Sequence, residues 1–192
     1  MTRLFLVRHG PTHAKSFVGW SDLPADLSDA GAVARLSAHL PESALVVSSD
    51  LLRAAATADA IQGGRERLPH QRDLREFNFG DWELLSFREV ELRDAELARA
   101  YWTTPGDIRP PGGESWNDAR LRVDAALDGL LAENPGRDLV VVAHIGVILG
   151  QVQRALGVDP AEVIGHKIDN LSVTHLTRHT DGWEVGAINH LP

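Results

Sequence analysis

Three apolar runs in this sequence end abruptly in residues able to do chemistry. Leu4-Phe5-Leu6-Val7 leads into Arg8-His9-Gly10-Pro11. Ala44-Leu45-Val46-Val47 leads into Ser48-Ser49-Asp50, with Arg53 three positions on. Leu139-Val140-Val141-Val142-Ala143 ends at His144. Short continuous apolar runs read as strands buried on both faces. If these strands run parallel, Arg8, His9, Arg53 and His144 meet at one sheet edge, beyond the strands' carboxyl ends, where open α/β sheets bind ligands. Two guanidinium forks suit a phosphate dianion, because each donates two parallel hydrogen bonds. The same charges keep a neighbouring imidazole neutral, the form that attacks phosphorus. A leaving alcohol then needs a proton, and a carboxylic acid beside the pocket can donate it and later activate water. Glu76, in Leu-Arg-Glu-Phe-Asn-Phe-Gly, is the first choice for that acid, with Asp81 and Glu83 as weaker candidates.

The elements that must position these groups follow from the pattern. Strands are expected at Leu4–Val7, Ala44–Val47, Leu68–Leu74, Asp138–Ala143, Leu171–Thr177 and Trp183–Ile188. Helices are expected at Ala32–Leu40, stopped by Pro41, then Leu51–Gln62, Ser86–Trp102, Ser115–Glu133 and Ile145–Leu156. Ser48-Ser49-Asp50 offers N-cap chemistry for the second of these. Arg75–Trp82 reads as an ordered loop, and Thr103–Gly113 as the longest loop. The β-then-α order predicts a doubly wound, mostly parallel α/β sheet with helices on both faces and an antiparallel edge strand. Residues 1–192 are expected to form a single domain.

Composition narrows the partners. The net charge of −8, from 27 acidic and 19 basic residues, disfavours a nucleic-acid binder, which needs a basic face. It permits a local positive pocket for a small anion. With no Cys, disulfides, thiolate catalysis and thiolate metal sites drop out. The N-terminus carries no signal-peptide pattern, and no apolar run approaches the ~18 residues of a membrane span. A cytoplasmic protein without membrane partners is expected, its oligomeric state left open.

Leu6-Val7-Arg8-His9-Gly10-Pro11-Thr12 resembles the signature of the histidine phosphatase superfamily, the phosphoglycerate mutase-like proteins. Ser48-Ser49-Asp50-Leu51-Leu52-Arg53-Ala54 with Thr57 is similar to its second-Arg motif. Leu74-Arg75-Glu76 and Phe79-Gly80-Asp81-Trp82-Glu83 resemble its acid loop. Pro111–Ser115 resembles the turn before its long helix, and Val141-Val142-Ala143-His144 its second-His motif. The resemblance implies a phosphohistidine intermediate on His9 without metal or cofactor. Arg8, Arg53 and His144 would hold the phosphoryl group, with Glu76 as proton donor. Gly10, Thr12, Lys15, Ser16, Trp20 and Ile145 are the candidate substrate-binding residues. Two of these depart from the family pattern. Lys15 or Ser16 would take over a phosphate contact that an Asn commonly makes, and Ile145 stands where Gly is usual, adding bulk beside the phosphate. Trp20 would wall the pocket.

The expected function is a phosphatase of small phosphorylated metabolites. Two alternatives stand beside it: a phosphoglycerate-mutase-type phosphotransferase, and a catalytically weak phosphoprotein-binding module. His9 and His13 have the i,i+4 spacing of helical zinc motifs, but Pro11 lies between them and no metalloprotease Glu accompanies them. Trp82, Trp102, Trp116 and Trp183 read as packing residues, and His166, His175, His179 and His190, with no motif around them, as residues on the solvent-facing surface.

Overall fold

A computed structural model describes residues 1–192. Five strands form one sheet in the order β2-β3-β1-β4-β5, with β1 Thr2–Arg8, β2 Leu45–Ser48, β3 Leu139–Ala143, β4 Val173–Arg178 and β5 Trp183–Val185. The first three are parallel, with Leu6 opposite Val141 and Val47 opposite Val141 on the other side. β4 runs antiparallel to β1, and β5 antiparallel to β4. The fold is therefore an α/β sheet whose apolar central strands carry the site and whose antiparallel pair closes one side.

Period-2 alternation along β1 divides the core. Leu4 and Leu6 pack with Leu139 and Val141 against α4 (Trp116–Glu133) and α5 (Ile145–Leu156) through Val123, Leu127, Ile148 and Val152. Phe5 and Val7 pack with Val140 and Val142 against α1 (Ala30–His39) and α2 (Leu52–Ile61) through Leu36, Ala54, Ala58 and Ile61. Each such Leu, Ile, Val or Phe stabilises the fold by about 1.5–3 kcal/mol when fully buried. A short helix α6, Pro160–Val163, follows α5; its four residues are too few for a periodic signal. No helix is long and apolar enough to cross a membrane.

Two local expectations need correction. Leu68–Leu74 is not a strand of the sheet. Leu68 and Gln71 donate to the Val46 and Ser48 carbonyls at 2.8 and 2.9 Å, giving only isolated bridges. Pro69 between them has no N–H to donate, and the chain coils into a 3-10 turn at Arg72–Leu74. Nor do Ser48-Ser49-Asp50 cap α2: its N-cap is Leu51, without a side-chain bond. Asp22 supplies the acceptor instead, its Oδ1 taking the Leu52 N–H at 2.7 Å, while Asp50 pairs with Arg75 at 2.7 Å.

The third packing unit lies over the site. Helix α3, Phe87–Thr103, begins in a capping box, Ser86 with Glu89, and breaks at Asp94 (φ −136°, ψ 48°). A straight helix would separate Phe87 and Trp102 by about 22 Å. Their rings lie 6.1 Å apart, because the chain folds back at Asp94, whose carboxylate accepts the Trp82 indole N–H at 2.8 Å. Trp82, Phe17, Val90, Ala98 and Tyr101 form the small core beneath.

Candidate active site

His9 is fixed on three sides. Its backbone N–H donates to Ala143 at the end of β3, 3.1 Å, and its carbonyl accepts from Asn170 Nδ2, 2.8 Å. The ring Nδ1 lies 2.7 Å from the Gly10 carbonyl. A carbonyl only accepts, so Nδ1 carries the proton and Nε2 the lone pair. Arg53 Nε donates to that Nε2 at 3.2 Å. Burial, then Arg53, push the imidazole pKa down to about 3, so the ring is neutral throughout the physiological range. Thr57 ties the two residues together: its hydroxyl accepts the Gly10 N–H at 3.0 Å and donates to the Arg53 carbonyl at 2.7 Å.

Arg53, only 1% exposed, stands in the first turn of α2. Its Nη1 and Nη2 donate to the carbonyls of Ser21 and Gly19 at 2.9 and 2.6 Å. Arg8, half-buried at the end of β1, donates through Nη1 to Ile168 at 2.6 Å. His144 is fully buried, with its ring centre 5.0 Å from that of His9. Neither of its nitrogens has a partner within the protein, a state rare for a buried imidazole unless a ligand supplies one. Burial and the neighbouring His9 and Arg53 hold its pKa well below the ordinary value.

Glu76 completes the cluster. Its Oε1 accepts the Phe77 N–H at 3.0 Å, and its Oε2 the Gly146 N–H at 3.1 Å, in the first turn of α5. Burial raises the carboxyl's pKa against the pull of these two N–H groups and of Arg53 and Arg8. The carboxyl needs Gly146: a Cβ there would overlap Glu76 Oε1 and press on the Phe77 ring at 3.0 Å.

Arg8, His9, Arg53, Glu76, Thr12, Ser16 and Ile145 line one cavity of about 310 Å³. Other candidates fall outside its lining. His144, expected to hold the phosphoryl group, is among them: it is fully buried, packed against His9. Gly10 is buried, its carbonyl and N–H used on His9 and Thr57. Lys15 is exposed on the loop after Thr12. Trp20, expected as a wall, lies behind the site. Its indole donates to the Glu76 carbonyl at 2.8 Å, and the guanidiniums of Arg72, Arg75 and Arg122 sit 5.0, 5.2 and 5.8 Å from its ring. It therefore holds the acid loop in place. His13 pairs with Asp26 at 2.8 Å on the surface. Asp81, exposed, pairs with Arg93.

Glu83 has a different task from the one expected. Its carboxylate accepts the N–H groups of Gly19, Trp20, Ser21 and Phe79, at 2.7–3.2 Å, and the Ser21 hydroxyl at 2.6 Å. The loop so tied presents the two carbonyls that hold Arg53. Glu83→Ala strands several half-buried donors. It is expected to lower stability by about 3 kcal/mol and the melting temperature by about 6–12 °C, read by calorimetry. Nothing in the spacing around Glu83 announces this hub. The aromatic wall of Phe17, Phe79, Phe87, Tyr101, Trp102 and Trp116 was also missed, its only signal being the density of aromatic residues from Phe77 to Phe87. Trp102 and Trp116 were expected to pack, and both also face the cavity.

A mostly parallel sheet with two Arg, two His and a buried carboxyl gathered near its strand ends defines an α/β protein with its candidate ligand site at the sheet edge. Residues 4–191 match the histidine phosphatase superfamily (branch 1), and the chain belongs to that family. It is 33% identical over 195 residues to a bifunctional protein of Mycobacterium tuberculosis, covering 94% of this chain but 51% of that one; it thus spans about half the length of that relative. It is 33% identical over 171 residues to the adenosylcobalamin/alpha-ribazole phosphatase of Salmonella typhimurium, covering 85% of this chain and 84% of that one. Among solved structures, mycobacterial glucosyl-3-phosphoglycerate phosphatase superposes with a TM-score of 0.85 at 27% identity, covering 98% of this chain and 99% of that one. Bacillus stearothermophilus YhfR superposes at 0.91, covering 100% and 98%, and at 24% identity speaks to the fold alone.

Proposed function

We propose that this protein hydrolyses phosphomonoesters through a phosphohistidine on His9, without a metal ion. The observation that carries the reading is a neutral His9, its unprotonated Nε2 held by the Arg53 Nε–H, lining the same cavity as Arg8, Arg53 and a carboxyl whose pKa is raised. The Nε2 lone pair gives up the Arg53 Nε–H, which turns to a phosphoryl oxygen, and forms the N–P bond. The ester P–O bond breaks, its electron pair leaves on the alcohol oxygen, and Glu76 gives that oxygen a proton. Water then attacks phosphorus and passes its proton to the Glu76 carboxylate. The N–P bond breaks, returning its pair to Nε2 and releasing phosphate. Arg8 and Arg53 offset the charge on the transferring group, so catalysis rests on positioning and electrostatics. Phosphatase names among the relatives support the same class.

Brief mixing with a radiolabelled phosphomonoester, in EDTA, followed by denaturation tests this. Label stable in base, lost in acid and confined to the His9 peptide is expected. Turnover that disappears in EDTA, or label on another residue, overturns the reading.

A further inference from the structure

The cavity around His9 is charged at one end only. Arg8, Arg53 and Glu76 are the only residues with charged side chains in its lining, and most of the rest are aromatic or aliphatic. With Glu76 in its acid form, two guanidiniums face one phosphoryl dianion, and the charges balance. A carboxylate or second phosphate on the leaving group would sit among rings with no cation to pair with, and burying an unpaired charge is costly. Lys15 lies outside the lining and is exposed, so its charge reaches the cavity only through screening solvent.

The apolar wall is also unfinished at its mouth. Phe87 is 63% and Trp102 37% exposed, although both pack on Phe17, with ring centres 4.5 and 5.9 Å away. The fold-back at Asp94 brings these two ends of α3 together over the cavity. Large apolar side chains left open beside a ligand pocket mark surface that a ligand covers.

We propose that the site selects phosphomonoesters whose leaving group is aromatic or apolar and bears no second negative charge, with Phe87 and Trp102 as specificity-determining residues. This rests on the hydrolase reading above.

The test compares kcat/KM on ester pairs. Phenyl and 2-naphthyl phosphate have similarly acidic leaving groups and differ in apolar area. Glycerol 3-phosphate and 3-phosphoglycerate differ in a carboxylate. The naphthyl ester is expected to exceed the phenyl ester by about tenfold, and glycerol 3-phosphate to exceed 3-phosphoglycerate. Phe87→Ala/Trp102→Ala is expected to bring the naphthyl:phenyl ratio close to one. Leu92→Ala, exposed on α3 and outside the cavity lining, should leave the ratio as it is. Preference for 3-phosphoglycerate, or a ratio that ignores the double substitution, overturns the selectivity while leaving hydrolysis standing. No turnover of any ester overturns both.

Discussion

His9→Ala is expected to lower kcat on every phosphomonoester by about 10⁴-fold or more, the scale seen when a covalent nucleophile is removed. The loss comes from two sources. The N–P bond has no other atom to form on, because His144 is buried with no exposure and does not line the cavity. Arg53 also loses its Nε acceptor. The substitution should leave the fold intact: the backbone bonds of residue 9 to Ala143 and Asn170 do not involve the ring. Single-turnover measurements on a labelled ester check the claim, with no base-stable label remaining on the protein. The wild type carries a second signature. With the His9 pKa held at about 3, the ring stays unprotonated well below the ordinary imidazole value of ~6.5. Any acid limb of kcat/KM near pH 6 then belongs to the substrate's second phosphate ionisation, at ~6. An acid limb that stayed put when the substrate's ionisation was changed would mean that His9 titrates normally and is not enclosed as described.

Much of this was legible in the sequence, for a physical reason. A central parallel strand is buried on both faces, so it must be apolar throughout; its first polar residue marks where the chain leaves the sheet. Arg8-His9 and His144 announce themselves in that way, and β1 and β3 fall within two residues of their expected limits. Contacts set by long-range geometry were not legible. Trp20 carries the composition of a pocket wall, yet three arginines and the Glu76 carbonyl claim it from the other side. Glu83 looks like a spare acid, but four N–H groups from two loops consume it. The α2 cap comes from Asp22, 30 positions upstream of Leu52, which no local N-cap rule can find. The strand expected at Leu68–Leu74 shows the same limit: its apolar residues fit, but one missing N–H at Pro69 confines the pairing to bridges.

Glu76→Gln is expected to separate esters by how badly their leaving group needs a proton. On an alkyl phosphate, whose alkoxide is a poor leaving group, loss of the general acid should cost about 10²–10⁴ in kcat. On p-nitrophenyl phosphate, whose phenolate leaves unaided, the first step should be almost untouched. Stability must be read first, by thermal melting. The carboxyl accepts the Phe77 and Gly146 N–H groups at its two oxygens; an amide turns an NH₂ toward one of them, costing about 1–3 kcal/mol. The pH dependence fixes the sign. Burial raises the Glu76 pKa, and a phosphoryl dianion alongside raises it further. The acid form needed for the first step is present below that raised value and lost above it. With an alkyl ester, the wild-type rate should therefore fall on the alkaline side as Glu76 gives up its proton, and Glu76→Gln should show no such limb. A limb that survives in Glu76→Gln, or an equal loss in the phosphorylation step on both esters, would assign the proton to another group. Among the residues lining the cavity, Glu76 is the only carboxyl, so the leaving-group contrast reads its protonation directly.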